Sequence, residues 1–508
     1  MAVTVKSIGL KGLEGYTVHV EVQMIPGMEA MSIVGLPDTS VKESKERVLA
    51  ALHSFGVELP DKKIIINLSP AEQKKNGPMF DLAMAIGILK SVNHFAEDLP
   101  AKTAFLGALS LDGTIRPVEG MLPAIMAAKK NGIEHLYLPF DENLPLEYID
   151  GVKLHFVQHL QDVIHSLTGQ QSLQLQPLPP SKTRTTIQPA YDQDFKHIIG
   201  HEQAKRAMEI AAAGGHHLLM SGPPGCGKSL LAQTFQTILP PLTNEAKLET
   251  ISLYQLAGAP LHSTVYPPFR NPHHSASSVA IIGGGSYPKP GEVSLAHHGV
   301  LFLDEMAEFT KKTLDMLRQP LETSKVTISR AHSTVTYPAK FILIGAMNPC
   351  PCGHLGSQTH YCTCSPKQVK AYQNRVSGPI HDRMDLLLSL RPVNMEAGTE
   401  VNEDSETVRE RVTKARHRQY ERYQQEQCNA EVSYERIEHT TPLTTNQKHM
   451  LQQLSTKQHW SNRVQVKIIR LARTIADLQD EEHITDEALW EAMTYRRMNK
   501  HDRQKKKA

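Results

Sequence analysis

The sequence predicts an α/β protein of several domains, closed by a part that holds helices alone. Three observations carry that expectation. The 508 residues are too many for one ordinary core. Two segments of mixed strand-like and helix-like pattern are separated at 171–190 by a stretch rich in Gln, Pro, Ser and Thr, the composition of an interdomain linker. Strand-like patterns then stop after about residue 395. The expected boundaries are therefore 1–170, a linker at 171–190, 191–395 and 396–508.

In the first segment, residues 17–22 alternate polar and β-branched side chains, as a half-buried strand does. Residues 41–52 have helical spacing, and 63–68 read as an apolar strand ending at Ser69-Pro70. From about 191 the pattern is strand, loop and helix again. In the last part, 405–427 form a charged helical stretch and 443–497 hold several further helices, with 462–478 the most clearly periodic. The basic tail, 499–508, has no apolar face and is expected to fray.

Composition narrows the classes. The formal charge is +2, from 55 basic against 53 acidic residues, so any nucleic-acid surface must be local. The N-terminus lacks the basic-then-apolar layout of a signal peptide, and the most apolar region, 79–89, is interrupted by Asp81. These features predict a cytoplasmic protein with no membrane span. Six cysteines do not form a secreted disulfide framework, and four of them are bunched between Cys350 and Cys364.

Gly222, Pro223, Pro224, Gly225, Cys226, Gly227, Lys228 and Ser229 match the phosphate-binding loop pattern in full. Glycines at this spacing let backbone N–H groups turn inward around phosphates. Lys228 adds a point charge at the β and γ oxygens, and Ser229 offers a hydroxyl to Mg²⁺. The following helix directs its positive end at the anion. Residues 217–221 supply the strand this motif requires upstream, and 230–239 the helix downstream. ATP and Mg²⁺ are the expected ligands.

A second apolar strand, 300–303, ends in Asp304 and Glu305. Asp304 can hold Mg²⁺ through its water shell, and Glu305 can polarise the attacking water. Phosphoryl transfer needs little beyond such positioning and charge neutralisation. An apolar run ending in Asp-Glu is weak evidence alone and strong behind a complete phosphate loop.

Two further stretches extend the pattern towards AAA+ ATPases. Residues 341–347 form a strand ending at Asn348, which resembles the sensor-1 residue that contacts the γ-phosphate or the attacking water. Residues 378–385 resemble the stretch that carries an arginine finger, with Arg383 in that place. A finger reaches into the neighbouring subunit's ATP and so implies a ring. The alternative for Arg383 is a surface ion pair with Asp382 or Asp385. Arg463 resembles the sensor-2 position, with Arg473 as its rival, and either could instead lie on a solvated helix face.

These motifs sit inside longer matches: FRNPHHSASSVAIIGGG at 269–285, PGEVSLAHHGVLFLDEM at 290–306, AMNPCPCG at 346–353 and RLARTIADL at 470–478. On them the chain resembles, over nearly its whole length, the ComM/YifB family of bacterial AAA+ proteins. That family is named for its similarity to the ATPase subunit of magnesium chelatase. The resemblance implies an N-terminal Lon protease-like domain of the ribosomal S5 domain 2-like fold. It also implies an AAA+ P-loop core with a helix-2 insert and a presensor-1 hairpin, and a C-terminal helical lid. A homohexamer and ATP-driven branch migration of DNA during natural transformation complete the implied picture.

The residues bear on those insertions. From Lys228 to Asp304 is 76 positions, which leaves room for an inserted element. Residues 270–278, beside a Gly-rich tip at 283–285, read as a polar, flexible loop suited to a pore. Residues 325–336 alternate like a hairpin and carry Lys325, Arg330 and His332. In a ring's channel these would contact DNA phosphates without reading sequence. The bland alternative is a solvated hairpin with ordinary surface charges.

Active Lon-type domains use a Ser–Lys dyad. Here Met79 stands where the resemblance places the Ser, after Asn76-Gly77-Pro78, and Leu122 where it places the Lys. A thioether and an isobutyl group can act neither as nucleophile nor as base, so no protease activity is expected. Cys350, Cys352, Cys362 and Cys364 supply four soft ligands, and a tetrahedral zinc site is chemically reasonable. The Cys-x-Cys spacing is tighter than usual, and His354 and His360 are rival ligands. The leading function is thus a DNA-translocating ATPase. A chelatase-type ring or a protein-remodelling ATPase without a DNA substrate are the alternatives.

Overall fold

Parallel strands covered on both faces must be apolar along their length. Leu218–Ser221, Val300–Leu303, Ile342–Met347 and Leu386–Ser389 meet that condition, and nearly all their residues are buried. With the short strand Phe269–Arg270 they form one five-stranded parallel sheet. Its order places Ile342–Met347 between Val300–Leu303 and Leu218–Ser221, with Phe269–Arg270 and Leu386–Ser389 at the edges.

The computed structural model describes residues 2–28, 30–57, 62–169, 193–261, 265–285, 288–330, 333–357, 360–393 and 402–496. The expected linker at 171–190, the boundary at 395/396, His332 and the tail at 499–508 lie outside the described residues. The chain divides into two units. One holds Met1–Ile187 and Asn244–Leu261, the other Gln188–Thr243 and His262–Ala508.

The smaller unit has a four-stranded sheet in the order Val3–Lys11, Glu14–Pro26, Lys62–Ser69, Ala30–Val34. Only the last pair runs parallel. A second, parallel sheet joins Thr103–Phe105, His135–Leu138 and Lys153–Phe156. The expected strands 17–22 and 63–68 and the expected helix 41–52 all lie inside longer elements, the helix being Thr39–Ser54. Helix Asp81–Ser91 is buried on almost every side, which explains its apolar run. Asp81 is tolerated there because Arg47 pairs with it at 2.8 Å and the Leu109 N–H donates to it at 3.2 Å.

One part of this unit arrives from far along the chain. Helix Asn244–Ala257 sends Leu248 and Ile251 into a cluster with Met121, Ile125 and Leu138. Lys247 Nζ lies 4.4 Å above the Tyr148 ring. The segment that opens the expected insert thus belongs to the smaller unit's core.

In the larger unit, helices Ser405–Tyr423, Thr445–Gln458, Asn462–Leu478 and Asp486–Thr494 follow the sheet. Among the described residues no strand follows Ser389. Met220, Phe302 and Ile344 from the sheet share one hydrophobic core with Val412, Ile468, Ile475 and Leu489 from the helices. Asp404 and Thr444 cap two of these helices by accepting from Thr407 N and Gln447 N. No helix of the described residues is long and apolar enough to cross a membrane.

Candidate active site

In an open parallel sheet, ligands bind beyond the carboxyl ends of the strands. Leu218–Ser221 runs into the loop 222–229, Val300–Leu303 into Asp304 and Glu305, and Ile342–Met347 into Asn348. Because Ile342–Met347 is the middle of these three strands, Asn348 emerges between the loop and the acidic pair.

The loop is shaped for an anion. Gly225 and Gly227 have φ of 75° and 81°, a region costly for any residue with a Cβ. Helix Lys228–Phe235 starts at Gly227 with no side-chain cap, so its first N–H groups are left for a ligand. Lys228 Nζ donates to Gly222 O at 2.7 Å, Pro223 O at 2.9 Å and Asn348 Oδ1 at 3.1 Å. Burial lowers the lysine pKa, so a nearby anion would favour its charged form. Ser229 Oγ donates to Asp304 Oδ2 at 2.8 Å. These hard oxygens, hydroxyl and carboxylate side by side, fit Mg²⁺ bound with water and phosphate. His201 makes a hydrogen bond with the Cys226 backbone.

Glu305 sits at φ 47°, and its N–H donates to Asp304 Oδ1 at 2.8 Å. A non-glycine residue held there stores on the order of 1–3 kcal/mol, a cost often kept at functional sites. The turn leaves the Glu305 carboxylate half exposed, with His274 Nδ1 at 3.4 Å. His274 belongs to the segment expected to be a free pore loop. The structure instead ties that segment down, since Arg270 also makes a bidentate pair with Glu292 at 2.6 and 2.7 Å. The paired histidines were visible in the sequence, but nothing in it pointed to Glu305.

Arg383 pairs with neither Asp382 nor Asp385. Its guanidinium lies 3.0 Å from Glu322 and donates to Pro379 O at 2.9 Å. Its side chain is 17% exposed. Arg463 is exposed at the start of helix Asn462–Leu478. Arg473 is fully buried, donating to Glu481 O and Glu482 O and pairing with Asp477, so it serves the packing of the helices.

Comparison with known proteins adds a second line. The family described as "Magnesium chelatase, subunit ChlI" matches residues 194–397, "Subunit ChlI of Mg-chelatase" matches 20–142, and the ChlI C-terminal family matches 402–496. The chain is 40% identical to the competence protein ComM of Haemophilus influenzae over 492 residues, covering 96% of either chain. It is 39% identical to the uncharacterized protein YifB of Escherichia coli, again over 96% of either chain. The chain belongs to the ComM/YifB family of magnesium-chelatase-like AAA+ proteins. A weaker similarity, 32% over 127 residues, links a quarter of it to Lon protease 2 of Bacillus subtilis, 22% of whose length is covered.

The two positions where the sequence resemblance places a Ser–Lys dyad, Met79 and Leu122, are both apolar and buried. Met79 and Leu122 lie in one hydrophobic cluster, with Met79 5% exposed and Leu122 fully buried. No nucleophile or base stands at either position.

The cysteines converge. Cys350 Sγ lies 3.4 Å from Cys352 Sγ and 3.7 Å from Cys362 Sγ, and Cys352 lies 3.6 Å from Cys362. All four sulfurs fall within 4.8 Å of one another. Four thiolates at about 2.3 Å from a tetrahedral zinc would be about 3.8 Å apart, close to these separations. Leu355 N donates to Cys350 Sγ at 3.3 Å, which would support a thiolate. The rival ligands His354 and His360 stack on each other, with ring centroids 4.8 Å apart. The cluster also touches the phosphate loop. A Cβ on Gly353 would lie 2.6 Å from Pro224 Cδ, so the two loops are in close contact.

The hairpin expected at 325–336 is Lys325–Arg330 paired with Ser333–Pro338. Val326 and Ile328 face inward, whereas Lys325 and Arg330 are exposed. It packs against the Gly-rich tip: Ile328 abuts Gly283, and the Tyr337 hydroxyl donates to Pro288 O at 2.7 Å.

Proposed function

We propose that this chain is an ATP-hydrolysing AAA+ motor that works as a homohexameric ring on DNA. Its task in this reading is branch migration of recombination intermediates during natural transformation. The observation that carries the ATPase reading is the convergence of Lys228, Asn348, Ser229 and Asp304 within hydrogen-bonding distance at adjacent strand ends. Lys228 and the loop N–H groups would hold the phosphates, Ser229 and Asp304 the Mg²⁺, and Glu305 and Asn348 the attacking water. Bound Mg²⁺ neutralises charge on the transferred phosphoryl group. In this reading Arg383, which pairs with Glu322 in its own chain, would be the finger that serves a neighbour's ATP.

Charge distribution supports DNA as the substrate. Residues 323–381 hold no Asp or Glu, although the chain has 53 acidic residues in 508. At that density about six would fall in the stretch, so the stretch itself carries a net positive charge despite the balanced total. It spans the hairpin with Lys325 and Arg330, the cysteine cluster, and helix Pro366–Gln373 with exposed Lys367 and Lys370. The relative's printed name, a competence protein, agrees with this reading.

The deciding experiment is ATP turnover with and without single-stranded DNA and four-way junctions. DNA is expected to raise the rate several-fold, and Lys325→Glu with Arg330→Glu to remove most of the rise. A rate indifferent to every DNA would sink the DNA reading and favour a chelatase-type or protein-remodelling ATPase.

The cysteine cluster is read as a structural Zn²⁺ site that braces Pro224 of the phosphate loop through Gly353. Metal analysis of chelator-free protein should give about one zinc per chain. Cys352→Ser with Cys362→Ser should lose it and raise the KM for ATP about 3- to 10-fold, as a loosened loop binds phosphates less well. Well under one zinc per parent chain rejects the site.

A further inference from the structure

The loop that carries Arg383 is gripped from the C-terminal helices. Lys467, on helix Asn462–Leu478, donates through Nζ to Arg383 O at 2.6 Å, Met384 O at 3.3 Å and Asp385 Oδ1 at 2.7 Å. Arg496, beyond helix Asp486–Thr494, donates to Met384 O at 2.6 Å. The other oxygen of Asp385 accepts from His217 N at 2.9 Å, while Asp385 N and Leu386 N donate to His217 O at 2.9 and 3.0 Å. His217 leads directly into Leu218–Ser221 and so into the phosphate loop. Asp385 is therefore the point where the finger loop, the C-terminal helices and the phosphate-loop strand of one chain meet.

We propose that Lys467 is a positioning residue for Arg383. It fixes the carbonyls of residues 383 and 384 to the C-terminal helices, so that when those helices shift, the finger offered to the next subunit shifts with them. The inference rests on the reading of Arg383 as a finger acting in trans.

The argument is one of need. A buried ammonium and carboxylate lose hydration that their mutual attraction only roughly repays, and apolar replacements of such pairs are often neutral or stabilising. Stability alone therefore gives little reason for a lysine here. What an apolar side chain of the same length could not do is donate to two successive backbone carbonyls and so set their direction. A finger displaced by about 1 Å loses much of its effect, because catalysis by a preorganised charge depends steeply on placement.

Mixed rings provide the test. Lys467→Met should bind a fluorescent ATP analogue within about twofold of the parent, yet hydrolyse ATP about 20-fold more slowly by itself. Lys228→Ala chains cannot use their own site but carry an intact finger. Adding them in excess should restore turnover at the intact sites of Lys467→Met chains, at least about fivefold per chain. Arg383→Ala is the control and should show the same rescue. If Arg383→Ala is not rescued, the finger reading fails. If Arg383→Ala is rescued and Lys467→Met is not, or if Lys467→Met turns over like the parent, the positioning role is overturned. Should the single variant lose its fold by thermal melting, Asp385→Asn with Lys467→Met removes both members of the buried pair and is read in its place.

Discussion

Lys228→Ala should reduce ATP turnover by roughly 10²- to 10³-fold, the cost typical of removing one preorganised charge from a transition state. The geometry says why no neighbour compensates. Lys228 Nζ stands among Gly222 O, Pro223 O and Asn348 Oδ1, the place where the loop, the neighbouring strand end and the terminal phosphate would meet. Removing the ammonium leaves acceptors facing an anion. ATP affinity should fall as well, since the interaction exists before hydrolysis begins. Steady-state phosphate release checks the outcome. Turnover within tenfold of the parent would show that another cation serves the phosphates.

Glu305→Gln should separate binding from chemistry. The amide keeps the volume of the carboxylate and the turn at φ 47°, so ATP should bind with nearly parental affinity. It cannot draw a proton from water, and turnover should drop about 10²- to 10⁴-fold, the usual contribution of a general base. The variant should therefore accumulate with ATP bound, readable by filter binding of labelled nucleotide after single-turnover mixing. Parental turnover in this variant would move the base elsewhere, with His274, 3.4 Å from Glu305, the first candidate.

The parts of this molecule legible in its sequence are those where one residue type is dictated locally. The phosphate loop reads from spacing because Gly225 and Gly227 need positive φ and the anion needs a lysine. The strands before Asp304 and Asn348 read from continuous apolar runs, as buried parallel strands must. The convergence of four cysteines was suggested by bunching alone, and the sulfurs do meet. What could not be read are pairings set by packing between distant segments. Nothing near Arg383 announces Glu322, and nothing near Lys467 announces the carbonyls of residues 383 and 384. The polar stretch at 270–278 looked like a free loop, because Glu292 and Glu305, which hold it, lie beyond its own sequence.

Helix Asn244–Ala257 has a topological consequence. The chain passes from the larger unit to the smaller one at residue 243, returns at 261, and is joined to it a third time near residue 187. Severing the backbone near 187 would therefore divide the smaller unit itself, with residues 1–187 on one polypeptide and residues 244–261 on the other, which carries the larger unit. An isolated ATPase fragment beginning after that point would still contain Leu248 and Ile251, now stripped of the partners that shield them from water. Nor could the first 187 residues fold to their full core alone, since part of it is encoded beyond the phosphate loop. In a chain threaded this way, synthesis must pass the phosphate loop before the first unit can be completed.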